Sequence, residues 1–192
     1  SVGAGEGLVP HAVSRLQAAF LAMLVEMTGA RSILEVGCLG GYSAVAMARA
    51  MPEGGSLITT EIDTRTARVA QANIDGSGYG ERIRLSVGPA MDTLERLKAE
   101  GAVFDFVFID ADKVNHARYL RAALEMSRPG TVIVADNVVR GGKVLGEAST
   151  ENGVRGVRKM FELARMLDGV SVTAMQTVGD KGHDGFAVFR VR

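Results

Sequence analysis

The 192-residue sequence is poor in the features that tie a chain to an oxidising compartment, a membrane or a polyanion. It has one cysteine, Cys38, which excludes a disulfide framework and suits a reducing cytosol, so cytoplasmic residence is the expectation. Its 22 basic and 22 acidic side chains cancel. That balance leaves no electrostatic footprint for nucleic acid or an anionic membrane surface. No apolar run approaches the length of a membrane span, and no secretory leader is visible. Repeats, low-complexity linkers and composition breaks are absent as well. A single domain over residues 1–192 is expected, with residues 1–10 read as a flexible or trimmed end.

What is plentiful is apolar residues, at 47%, and glycine, at 24 residues. Short apolar runs alternate with segments of helical period. Val13–Met27 reads as a lead-in helix closed by Gly29. Strands are expected at "SILEV", "SLITT", "IRLSV", "FDFVFI" and "TVIVA". Helices are expected at Tyr42–Met51, Thr64–Ile74, Pro89–Ala99, His116–Met126 and near Gly153–Leu167. "VSVTAMQ" and "GFAVFRV" close the chain as an antiparallel pair. Five strand–helix units with very apolar strands predict an α/β fold, a doubly wound parallel sheet with helices on both faces.

In such sheets ligands bind beyond the carboxyl ends of the strands. Those ends carry Glu35–Gly37, Glu61, Ala90 with Met91, Asp110–Lys113, and Asp136 with Asn137. Four of the five carry a carboxylate, so the functional edge is expected to be acidic.

The first strand ends in "LEVGCLGGYSA". Glycine costs up to about 1 kcal/mol relative to alanine inside regular structure, so a cluster suggests a close approach to the backbone. The turn does not spell the dinucleotide pattern G-x-G-x-x-G, and alone it also reads as a purely structural turn. Glu61 follows 24 residues after Gly37, at the end of the next strand, where a carboxylate can accept from both ribose hydroxyls. Together they point to an adenosine-type ligand. A pyrophosphate would be repelled by Glu35, whereas the ammonium and sulfonium of S-adenosylmethionine suit an acidic edge, and backbone amides with Ser43 suit its carboxylate.

Asp110, Asp136 and the Asn137 amide end adjacent strands, and three hard oxygen donors describe a magnesium-like site. Asp136–Asn137 alone also reads as a turn and cap. Facing Asp110, the metal reading prevails.

The stretches "LEVGCLGGYSA", "ITTEID", "GPAMDTL", "FDFVFIDADKVNHARYL" and "VIVADNVVRGGKV", with a terminal "DGFAVF", resemble the cation-dependent class I O-methyltransferases related to caffeoyl-CoA and catechol O-methyltransferases. The resemblance implies a Rossmann-like methyltransferase sandwich, a mostly parallel seven-stranded sheet with an antiparallel C-terminal strand. It places Glu35, Gly37, Ser43, Glu61 and Ala90 on S-adenosylmethionine, with Cys38, Gly41, Tyr42, Ile62, Met91, Asp110 and Asp112 around them. It implies Asp110, Asp136 and Asn137 as ligands of Mg2+, Mn2+ or Ca2+, and Lys113 beside Asp110 as the general base. A small hydroxylated aromatic acceptor and a homodimer are implied likewise.

The sequence departs from the family pattern at Cys38, Leu39 and Gly40 in the turn. It departs again at Arg140 and Gly141, where the plant enzymes carry substrate contacts. The N-terminal helices that help cover substrate in the family are expected to be short or missing. Catechol-like chemistry survives that comparison, and a caffeoyl-CoA assignment does not. Two alternatives stay open, an NAD(P)-dependent oxidoreductase and a methyltransferase-like protein that binds S-adenosylmethionine without turnover. His116 is expected on a helix surface, His183 in a turn, and Lys143 and Lys159 as surface charges.

Overall fold

A computed structural model describes residues 12–146, 149–179 and 182–192; the expected flexible end at residues 1–10 lies outside them. Helix α1 (Arg15–Thr28) begins with a capping box, in which the Ser14 hydroxyl accepts from Gln17 N while the Gln17 side chain accepts from Ser14 N. Gly29, at φ 61°, ends it. There follow β1 (Ser32–Val36), α2 (Tyr42–Ala50), β2 (Ser56–Glu61), α3 (Thr64–Asp75), β3 (Ile83–Val87) and α4 (Ala90–Ala99). The second half runs β4 (Phe104–Ile109), α5 (His116–Glu125), β5 (Ser127–Asp136), α6 (Asn152–Arg165), β6 (Val170–Gly179) and β7 (Gly182–Val191).

The seven strands form one sheet in the order β3-β2-β1-β4-β5-β7-β6. β1 to β5 pair in parallel, and β7 runs antiparallel to both of its neighbours. The expected C-terminal pair is therefore present, with the last strand inserted between β5 and β6. Connections leave β1 and β4 toward opposite edges, so the switch in strand order falls between these two strands.

Alternation along the strands sorts the core onto two faces. Ile33, Phe106 and Phe108 pack with Leu21, Val25, Met47 and Ile74, so α1, α2 and α3 cover one side. Leu34, Val107 and Ile109 pack with Leu97, Leu120, Val157 and Met160, so α4, α5 and α6 cover the other. β5 extends further toward its N-terminus than the apolar pattern indicated, because Ser127 pairs with Phe104 across an irregularity in register. Short 3-10 turns at Lys113–Asn115 and Arg140–Gly142 were not indicated by the sequence.

Candidate active site

The glycine turn answers for its composition at Gly37. Its φ is 101°, and a Cβ there would lie 2.6 Å from the Asp110 carbonyl oxygen and 2.9 Å from Ala111 N. What approaches the backbone so closely is thus the end of β4, bonded to β1 through Asp110 N to Val36 O at 2.8 Å. Gly41, at φ 83°, caps α2 and lets it press on α3, since a Cβ would meet Ile74 Cγ1 at 3.3 Å. Three neighbours fix the turn. The Thr60 hydroxyl accepts from Gly37 N at 3.2 Å, Glu61 Oε2 accepts from Leu39 N at 2.9 Å, and Asn73 Nδ2 donates to Gly40 O at 2.9 Å.

A cleft of about 1460 Å³ opens over this edge of the sheet. Gly37, Cys38, Tyr42 and Ser43 line it from the turn, and Glu61, Ile62 and Ala90 from the next strand ends. Asp110, Asp112, Lys113 and Asn137 line it on the other side of the switch. Glu35, Gly41, Met91 and Asp136 lie behind this lining.

Glu35 is wholly buried and receives the Thr59 hydroxyl at 2.5 Å, while its Oε1 has no hydrogen-bond partner among the described residues. Burial pushes its carboxyl up to about 8, against the opposing influence of the Ser43 and Thr59 hydroxyls. The negative charge expected at the end of β1 is therefore masked, which corrects the repulsion argument built on it. The carboxylate facing the cleft is that of Glu61, whose Oε1 also accepts from Asp63 N at 3.0 Å.

On the other side, Lys113 Nζ donates to Asp110 Oδ1 at 2.8 Å and to Ala111 O at 2.9 Å, and both charged side chains are mostly buried. Asp136 is 4% exposed. Burial first, then the Asp110 charge, pushes its carboxyl up to about 7, against the Asn137 N–H that donates to it at 2.7 Å. Asn137 adopts φ 57°, a conformation this residue tolerates better than most. Among the described residues no three His, Cys, Asp or Glu side chains gather around one point; the candidate set is two carboxylates and an amide.

Asp112 caps the turn carrying Lys113, accepting from Asn115 N at 3.2 Å and from the Tyr119 hydroxyl at 2.5 Å. The turn sits on α6 at Gly156, where a Cβ would collide with the Lys113 carbonyl and lie 2.7 Å from Val114 Cα. Three site residues were missed in the sequence. Gln17 Nε2 reaches from α1 to both Asp136 oxygens at 3.2 and 3.3 Å, Gly156 seats the lysine turn, and Asp184 holds the loop after β5. Only the capping box signalled Gln17. His116 corrects its expected surface position: it is completely buried with neither ring nitrogen bonded among the described residues, and burial lowers its pKa to about 3. His183 lies on β7 near the start of that strand, 2.7 Å from Gln176 Oε1.

A doubly wound sheet with a glycine turn at its switch point and acidic strand ends defines a nucleoside-binding α/β enzyme. The family model for O-methyltransferases matches residues 4–182. The chain is 46% identical over 187 residues to the catechol O-methyltransferase of Niastella koreensis, covering 97% of this chain and 85% of that one. It superposes on the O-methyltransferase from Bacillus cereus, solved in complex with SAH, with a TM-score of 0.97 at 45% identity, covering 100% and 87% of the two chains. Against TomG from Streptomyces achromogenes, involved in tomaymycin synthesis and solved with SAM, the TM-score is 0.94 at 40% identity, covering 98% and 85%. The chain belongs to the O-methyltransferase family and is thereby an S-adenosylmethionine-dependent enzyme. The oxidoreductase alternative falls away.

Proposed function

We propose that this enzyme transfers the methyl group of S-adenosylmethionine to a phenolic oxygen of a small vicinal diphenol, with a divalent cation held by Asp110, Asp136 and Asn137. One observation carries the reading: Asp136 is buried at the end of β5, directly before Asn137 and close enough to feel the Asp110 charge at the end of the neighbouring β4. A carboxylate raised by burial and by a neighbouring like charge favours a positive ion at that point. Two carboxylates and an amide oxygen are hard donors suited to magnesium, manganese or calcium. The naming of relatives as catechol O-methyltransferases supports the acceptor class. Bound there, a divalent cation would supply Lewis acidity toward a phenol and a template for two adjacent hydroxyls.

The remaining tasks fall to the chain. Gly37, Ser43, Glu61 and Ala90 hold the methyl donor, Glu61 offering its free lone pairs to the ribose. Lys113 works beside the acceptor. Acting as base, it would receive the phenolic proton at Nζ, next to the Asp110 carboxylate. The phenolic oxygen then forms a bond to the methyl carbon as the carbon–sulfur bond breaks, and the sulfonium leaves as a neutral thioether. Cleft walls from Phe20 and Phe186, with ring centroids 4.7 Å apart, exclude water from one side.

A homodimer and a cytoplasmic location belong to this reading too. The first rests on the family resemblance alone. Among the described residues no helix is long and apolar enough to cross a membrane.

Labelled S-adenosylmethionine, magnesium and a panel of vicinal diphenols with monophenol controls test the function. Methylation of the vicinal pairs in preference to monophenols is expected. Transfer to monophenols as readily as to the vicinal pairs, or to no member of the panel, would overturn the diphenol reading.

A further inference from the structure

We infer that Arg140 forms an anion-binding subsite at the acceptor end of the cleft, so that the acceptors are vicinal diphenols carrying a carboxylate. The inference rests on the diphenol reading given above and narrows it.

Arg140 stands four residues beyond the end of β5 and lines the cleft together with Asn137 and Lys113. Its backbone is in the left-handed region, at φ 55°, which is uncommon for a long side chain. β7 holds it there. Asp184 Oδ1 accepts from Val139 N at 3.1 Å and from Arg140 N at 2.9 Å, and Val138 N donates to Gly185 O at 2.9 Å. Gly185 has no side chain where a Cβ would lie 2.6 Å from Val139 Cγ2. An unfavourable backbone kept in place by several partners directs attention to the side chain it presents.

That side chain is a half-buried guanidinium with no ion pair or hydrogen bond among the described residues. Neighbouring carboxylates make their hydrogen bonds and ion pairs elsewhere, although Glu151 still feels the Arg140 charge. Glu151 bonds Lys143, Asp112 takes Tyr119 and Asn115, and Asp110 pairs with Lys113. A Cβ on Gly153 of α6 would lie 3.4 Å from Lys113 Cβ and 3.5 Å from Arg140 Nη2, which sets the guanidinium alongside the root of the lysine. Leu16, Val178 and Phe186 line the same cleft and offer apolar surface to an aromatic ring. A planar fork of donors at the edge of such a surface matches a planar carboxylate on the ring, which it can engage through two hydrogen bonds.

The test compares 3,4-dihydroxybenzoate with its methyl ester, which keeps the hydroxyls and loses the charge. For the wild-type enzyme kcat/KM should favour the acid. In Arg140→Met that acid-to-ester ratio should fall about tenfold, largely through KM of the acid, and Arg140→Lys should retain part of it. Arg140→Asn removes the charge with a residue suited to the left-handed backbone, and should give the same fall if the loop is intact. An unchanged ratio, or equal losses on both substrates, would overturn the subsite. Absence of transfer to either compound by the wild-type enzyme would fail the diphenol reading itself and take the subsite with it.

Discussion

Gln17, in the first turn of α1, donates its side-chain amide to both carboxylate oxygens of Asp136, 119 residues away at the end of β5. The same side chain accepts from Ser14 N, so one residue starts the helix and fastens it to the acidic strand end. Gln17→Met keeps the bulk and removes both functions. A loss of about 1–3 kcal/mol is expected in urea unfolding, since a buried carboxylate is left short of a donor. Stability equal to wild type would mean that Asp136 finds another partner.

Gly37→Ala sets a Cβ 2.6 Å from the Asp110 carbonyl at a backbone φ of 101°. Both effects oppose folding, and a loss of about 3 kcal/mol or more is expected. Gly88→Ala is the control: its φ is 135°, yet among the described residues nothing lies within 4 Å of its added Cβ. The two losses compared in urea unfolding separate the clash from the backbone strain.

The strands could be read from the sequence because parallel strands covered on both faces are continuous apolar runs, as "FDFVFI" and "TVIVA" are. The acidic edge followed from the rule for strand ends, and it placed Asp110, Lys113, Asp136 and Asn137 on one side of the molecule. What escaped were contacts between segments far apart in sequence. Gly156 looks like a poor helix residue until the Lys113 turn is seen resting on it, and Asp184 looks like one more turn aspartate. His116 was misplaced because a charged neighbourhood in sequence, between Lys113 and Arg118, says nothing about which side of α5 faces the core.

Two buried groups give stability opposite slopes with pH. Glu35, raised from 4.5 to about 8, favours folding fully below pH 4.5 and loses that contribution as pH rises toward 8. His116, lowered from 6.5 to about 3, leaves stability intact above 6.5 and subtracts from it as pH falls toward 3. Each slope is about 1.4 kcal/mol per pH unit, so the two oppose between 4.5 and 6.5. Glu35→Gln should therefore flatten the fall in stability between pH 6.5 and 8, and His116→Leu the fall below 4.5. Unaltered pH profiles in thermal unfolding of both variants would contradict the burial argument.

Lys113→Met removes the amine while keeping much of the side-chain length. Turnover should fall by about 10²- to 10⁴-fold, the usual range for a general base, with affinity for S-adenosylmethionine by calorimetry little changed. Near-normal turnover would reduce the Lys113–Asp110 pair to a structural contact.

Methyl transfer to a vicinal diphenol in excess chelator tests most directly whether Asp110, Asp136 and Asn137 share a divalent cation. Transfer should be abolished, return on addition of magnesium or manganese, and not return at ordinary metal concentrations in Asp136→Ala. Full activity of the wild-type enzyme in excess chelator would contradict a shared cation.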